Sequence, residues 1–139
     1  MNKATKRIVT ATVSVVALGG LAATPTLAQS LSDLDGNAFL YNPVTQQFLG
    51  IVSSDRYHKD SICNPYGDYG SRYSGTSVLY PYGDYGNRYS DTSAYNPRAS
   101  EPPVLYLADN QPIAVLSKNP GFKNRIDPGA LFGAMCDQR

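Results

Sequence analysis

The chain has no tryptophan, one histidine and two cysteines, and charged residues make up only 17% of it. Each shortage removes a class of function. His58 stands near Asp55, Asp60 and several serines, so a Ser-His-Asp arrangement can be drawn. The Gly-x-Ser-x-Gly elbow and the His-Glu-x-x-His pair that would give it context are both missing. No phosphate loop or dinucleotide fingerprint occurs. The cysteines do not form a Cys-x-x-Cys pair, which disfavours a redox thiol. Asp68 and Asp84 lie too far apart for the dense carboxylate spacing of a calcium loop, and capping their own turns is the simpler role. The expectation is a non-enzyme with no catalytic residues, no cofactor and no metal.

No long apolar run follows residue 23. Before it, Lys3, Lys6 and Arg7 precede an uncharged stretch from Ile8 to Ala23, and Thr26-Leu27-Ala28 ends in small residues, so 1–28 reads as a signal peptide. Sixteen apolar residues are short for a bilayer span, and no later segment is longer. The mature chain, 29–139, suits a single domain that is secreted or periplasmic. Losing three cations leaves nine Lys plus Arg against eleven Asp plus Glu. In the central region Asp68 and Asp84 each accompany an arginine, Arg72 and Arg88, so no basic stripe forms. Nucleic acid and anionic membranes are therefore disfavoured as partners. Export lets Cys63 and Cys136 oxidise. If they pair, a loop of more than seventy residues closes, with a gain of roughly 4 kcal/mol.

What the chain does have is tyrosine in a strict repeat. Arg-Tyr recurs at 56, 72 and 88, Ser at 61, 77 and 93, Pro at 65, 81 and 97, and Pro-Tyr-Gly-Asp-Tyr-Gly at 65 and 81, a period of sixteen over 56–101. Nine of the eleven tyrosines lie there. Asn64-Pro65-Tyr66-Gly67 fits a type I turn position by position, and Tyr80–Gly83 and Asn96–Ala99 follow it in part. Ser61-Ile62-Cys63 and Ser77-Val78-Leu79-Tyr80 read as brief extended pieces between bends. Sixteen residues fall below the usual repeats of helical solenoids and propellers. A run of turns laid over a sheet is the simplest solution, with a β-solenoid-like coil as the alternative. Ser74 and Ser90 occupy the place of His58 in the other copies, so the repeat has no need of an imidazole.

The flanks supply the sheet. Residues 38–54 and 103–117 each read as strand, turn, strand, giving two hairpins that pair into one antiparallel sheet. Gly50 interrupts a strand, as at a bulge or a close backbone approach. In the tail, 118–139, Asp127 as N-cap and Pro128 at the first position predict a short helix carrying Leu131, Phe132, Met135 and Cys136 on one face. The fold class is a small β-rich single domain with the tyrosine repeats inserted between its hairpins.

Tyrosine can pack its ring and keep its hydroxyl wet. The rings thus read either as the interior of the repeat or as an exposed ladder for glycan or protein contact. The stretch Ser61-Ile-Cys-Asn-Pro-Tyr-Gly-Asp-Tyr-Gly-Ser-Arg-Tyr-Ser74 resembles small, uncharacterised bacterial exported proteins with tandem Ser-Ile-x-Asn-Pro-Tyr-Gly-x-Tyr-Gly-Ser-x-Tyr-Ser units, over roughly residues 48 to 104. This chain departs from them at Val78-Leu79-Tyr80 and Arg98-Ala99. The resemblance implies export and no particular activity. The residues point to a non-catalytic binding module that meets a cell-envelope polymer or an extracellular protein through Tyr66, Tyr69, Tyr73, Tyr82, Tyr85 and Tyr89 with Arg72 and Arg88. The alternatives are a structural envelope protein without ligand and, further off, a secreted enzyme inhibitor or hydrolase.

Overall fold

The computed structural model describes residues 31–137. The signal peptide read over 1–28 lies outside them. Among the described residues the strands β1 (Ala38–Asn42), β2 (Gln47–Val52), β3 (Val104–Leu107), β4 (Pro112–Leu116) and β5 (Arg125–Ile126) precede the helix α1 (Pro128–Cys136). They form one sheet in the order β2-β1-β3-β4-β5. The first four pair antiparallel, but β5 runs parallel to β4, so the sheet is mixed where an antiparallel one was expected. The tail turns at Asn119–Phe122 and comes back alongside β4. Val115 then donates to the Asn124 carbonyl and Ser117 to that of Ile126, each at 3.0 Å. Two residues carry no alternation, so the sequence gives β5 no signal.

Strand alternation sorts the side chains: Ala38, Leu40 and Asn42 of β1 face inward, Phe39 and Tyr41 outward. Leu49 and Gly50 share the place opposite Leu40, between the pairs Phe39–Ile51 and Tyr41–Phe48, which makes a bulge. Gly50 has φ +112°, and a Cβ there would lie 2.6 Å from that of Tyr69. Just beyond it the repeat covers the β2 edge, with Ile51 donating to the Asp60 carbonyl (2.7 Å) and Ile62 to that of Ile51 (3.0 Å).

No strand lies between Ser53 and Pro103; the chain advances by turns. Ser61, Asn64 and Gly67 each donate to the carbonyl three residues earlier, at 3.1, 3.2 and 3.1 Å, and Ser77, Tyr80 and Gly83 do the same at 3.0, 3.3 and 3.1 Å. Between copies one step lengthens to four, from Gly67 to Ser71 (3.1 Å) and from Gly83 to Asn87 (3.0 Å). Four steps of three and one of four give the period of sixteen. The corner residues close the turns with their side chains. Ser61, Ser77 and Ser93 each accept the N–H two residues on, at 3.0, 3.1 and 3.0 Å. The apolar pieces expected to be extended are therefore turns, because the serine hydroxyl satisfies an N–H that a strand would have offered to a neighbour.

His58 belongs to the same system. Its Nδ1 accepts from the Asp60 N–H at 3.0 Å, and Ser74 and Ser90 accept from Thr76 and Thr92 at 3.3 Å. His58→Ser is therefore expected to leave the unfolding free energy within about 0.5 kcal/mol of the native value. Chemical denaturation checks this, and a loss above about 1.5 kcal/mol would show that the imidazole does something other than close its turn.

Directly after each buried serine comes one aliphatic residue of the core, Ile62, Val78 and Ala94, all 1% exposed or less. The side chain shrinks along the series. These residues pack with Leu40, Leu49, Leu105 and Leu116 of the sheet and with Leu131 and Met135 of α1. Asp127 caps the helix by accepting from the Ala130 N–H at 3.2 Å, with Pro128 behind it as the sequence expects. Burial pushes the Asp127 carboxyl up, but hydrogen bonds from Lys118 and the helix N-terminus outweigh it and hold the group below its usual range. Cys136 at the end of α1 is bonded to Cys63 of the first repeat. Leu31 and Leu34 are buried in the same core.

Candidate functional site

The corner pattern decides which tyrosines meet water. Tyr57, Tyr73 and Tyr89, and the first tyrosine of each Pro-Tyr-Gly-Asp-Tyr-Gly, Tyr66 and Tyr82, project outward and are 81–95% exposed. The second tyrosine of that motif turns inward. Tyr69 is half-buried, edge-on to Phe48 with ring centroids 5.0 Å apart. Tyr85 is 7% exposed, and its hydroxyl lies 2.8 Å from Thr45 Oγ1. Of the six tyrosines singled out in the sequence, Tyr66, Tyr73, Tyr82 and Tyr89 are exposed, Tyr66 and Tyr73 lining one cleft, and Tyr69 and Tyr85 are not. Burial, then Asp60 and Asp68, push the Tyr69 hydroxyl pKa up. The same cause, followed by Asp127, acts on half-buried Tyr95, with Arg72 working against it.

Arg72 and Arg88 are exposed beside these rings. Among the described residues the ion pair is Lys118–Asp127, at 2.8 Å, so neither guanidinium is committed to a carboxylate. The carboxylates of Asp68 and Asp84 make no hydrogen bond among the described residues. These residues enter the turn network through their carbonyls, which accept from Thr76 and Thr92 at 2.9 and 3.0 Å, rather than by capping their own turns. No group of three His, Cys, Asp or Glu among the described residues could hold a metal ion.

Besides a cleft of about 390 Å³ among Arg56, Tyr57, Asn64, Pro65 and Tyr66, two clefts related by the repeat lie along the ladder. The first, of about 400 Å³, is lined by Arg56, Ile62, Cys63, Pro65, Tyr66, Gly70, Arg72, Tyr73, Leu79, Cys136 and Asp137. The second, of about 280 Å³, is lined by Arg72, Val78, Leu79, Pro81, Gly86, Arg88 and Tyr95. Adding sixteen to the first lining reproduces every residue of the second. Arg72 is the far wall of one cleft and the near wall of the next. Sequence reasoning missed Arg56, Leu79, Pro81 and Tyr95 as parts of this surface, although the recurrence of Arg-Tyr at 56 carried the signal.

A further cavity, of about 470 Å³, opens on the outer face of the sheet among Phe39, Tyr41, Phe48 and Ile51. Its aromatic rings satisfy one another: Phe39 stacks on Tyr106 at 5.3 Å, and Tyr41 meets Tyr106 edge-on at 5.9 Å. No charged side chain lines this cavity. No helix among the described residues is long and apolar enough to cross a membrane. No protein-family model matches the chain, and neither does any curated protein or solved structure.

Proposed function

We propose that this is a non-catalytic exported module whose ligand surface is the tyrosine face of the repeat. Two hairpins and the disulfide serve as the rigid platform, and a cell-envelope polymer or an extracellular protein is the partner. One observation carries the reading: five tyrosines at two fixed places of the repeat stand 81–95% exposed, while Tyr85, three residues from one of them, is 7% exposed. The exposed rings recur at fixed places of the repeat, and amphipathic rings held in water that way suit recognition more than packing. The disulfide fits an oxidising compartment outside the cytosol.

The test is retention on the insoluble envelope fraction of a bacterial cell. Tyr66→Ala together with Tyr82→Ala should abolish retention without moving the melting temperature, since both side chains are more than 80% exposed. Retention equal to that of the native protein would refute the reading. A native protein that is never retained would favour a structural envelope component without ligand.

A further inference from the structure

Resting on that reading, we infer that the two clefts are consecutive subsites for a linear acidic polysaccharide, each taking one carboxylate-bearing sugar between successive arginines. Arginine, proline and glycine recur in the two linings every sixteen residues and present the same charged walls twice, in register with the chain. The ligand that benefits from such a surface is itself a repeating polymer. Its charge follows from the walls: Arg56 and Arg72 flank the first cleft and Arg72 and Arg88 the second. No carboxylate lines the second cleft, and Asp137 is the single one on the first.

None of these three guanidiniums has an ion-pair partner among the described residues, and all three are exposed. A planar fork of donors left free in this way matches a carboxylate bidentately. The rest of the lining selects the carrier of that charge. Pro65, Tyr66 and Tyr73 in the first cleft, and Pro81 and Tyr95 in the second, offer ring faces on which the apolar side of a pyranose can lie. A flexible polymer of phosphates alone would leave those faces unused. Asp68 and Asp84 balance Arg72 and Arg88 along the chain but line neither cleft, so the walls of the clefts are more cationic than the repeat as a whole.

Isothermal titration of the disulfide-intact protein with polygalacturonate and with alginate tests the inference, with fully methyl-esterified polygalacturonate as the uncharged counterpart. Binding to at least one acid polymer is expected, lost on esterification and weakened by added salt. Arg72→Gln should reduce affinity roughly tenfold or more, from the loss of charge-assisted hydrogen bonds. Arg56→Gln or Arg88→Gln should reduce it less, since each walls one of the two subsites. Arg72→Lys should fail to restore the native value, because the ammonium lacks the fork. An unchanged melting temperature for the Arg72 variants separates binding from folding. Equal affinity for the esterified polymer, or native affinity in Arg72→Gln, would overturn the inference. So would failure to bind either acid polymer by a protein still retained on envelope material, an outcome that leaves the module reading standing with a different ligand.

Discussion

Removing the Cys63–Cys136 bridge, by reductant or by Cys63→Ser with Cys136→Ser, is expected to lower the unfolding free energy by about 4 kcal/mol. The magnitude follows from the 73-residue separation, since a closed loop of that length removes much of the freedom of the unfolded chain. The loop spans the whole repeat after its first corner, β3 to β5 and most of α1. The repeat is also the part of the fold with fewest ladder bonds to the sheet. Its backbone reaches β2 through the two bonds around Ile51, and it reaches the segment after β4 where Lys118 donates to the Ala94 carbonyl at 2.9 Å. A domain of this size has a total stability of about 5–15 kcal/mol, so the reduced protein should be marginal. Urea titration with and without reductant measures the difference, and the midpoint should fall by roughly 2 M. A change below about 1 kcal/mol would mean that turns and core hold the repeat in place unaided.

Much of this architecture is written in short-range signals. The period of sixteen, the Asn-Pro-Tyr-Gly bends, the Asp127 cap with Pro128, and the two cysteines can all be read because each is decided within a few residues or by count. What could not be read depends on where distant segments land. Tyr66 and Tyr69 belong to one hexapeptide, three residues apart in a ribbon that advances mostly by threes, and local pattern gives them the same standing. They differ because Phe48 of β2 lies against Tyr69. Tyr85 differs from Tyr82 because Thr45, in the turn between β1 and β2, reaches its hydroxyl. The sorting of the tyrosines is thus a consequence of docking the repeat on the first strand pair. β5 was illegible for a related reason: its two residues become a strand only because β4 lies beside them.

The arginine clefts needed both kinds of information. Recurrence of Arg-Tyr placed three guanidiniums at equal intervals along the chain, but nothing local says that successive arginines wall a common hollow. That follows from the turn ribbon, which brings Pro65 and Gly70 of one copy between Arg56 and Arg72, and Pro81 and Gly86 of the next between Arg72 and Arg88. The ladder therefore exists only if the four-residue step that ends each copy is kept.

That step makes Gly86→Ala the second large prediction, a loss of about 3 kcal/mol, at the top of the range for overpacking. A Cβ at Gly86 would stand 2.5 Å from the Val78 carbonyl oxygen and nearer still to that of Tyr80. Gly70 faces the same obstacle one copy earlier, where the Asn64 backbone N and C would each be 2.7 Å away. Both obstructions are main chain, and Tyr80 and Val78 are held by the turns they close, so no side-chain rotation relieves them. Gly75 is the internal control. Nothing lies within 4 Å of a Cβ placed there, and the matching places in the other copies carry Lys59 and Asp91. Gly75→Ala should be neutral or stabilising by about 0.4–1 kcal/mol, through the unfolded chain alone. Denaturation of the two variants side by side decides the matter: equal stabilities would show that the four-residue step does not depend on close backbone approach, and the account of the sixteen-residue period would fall with it.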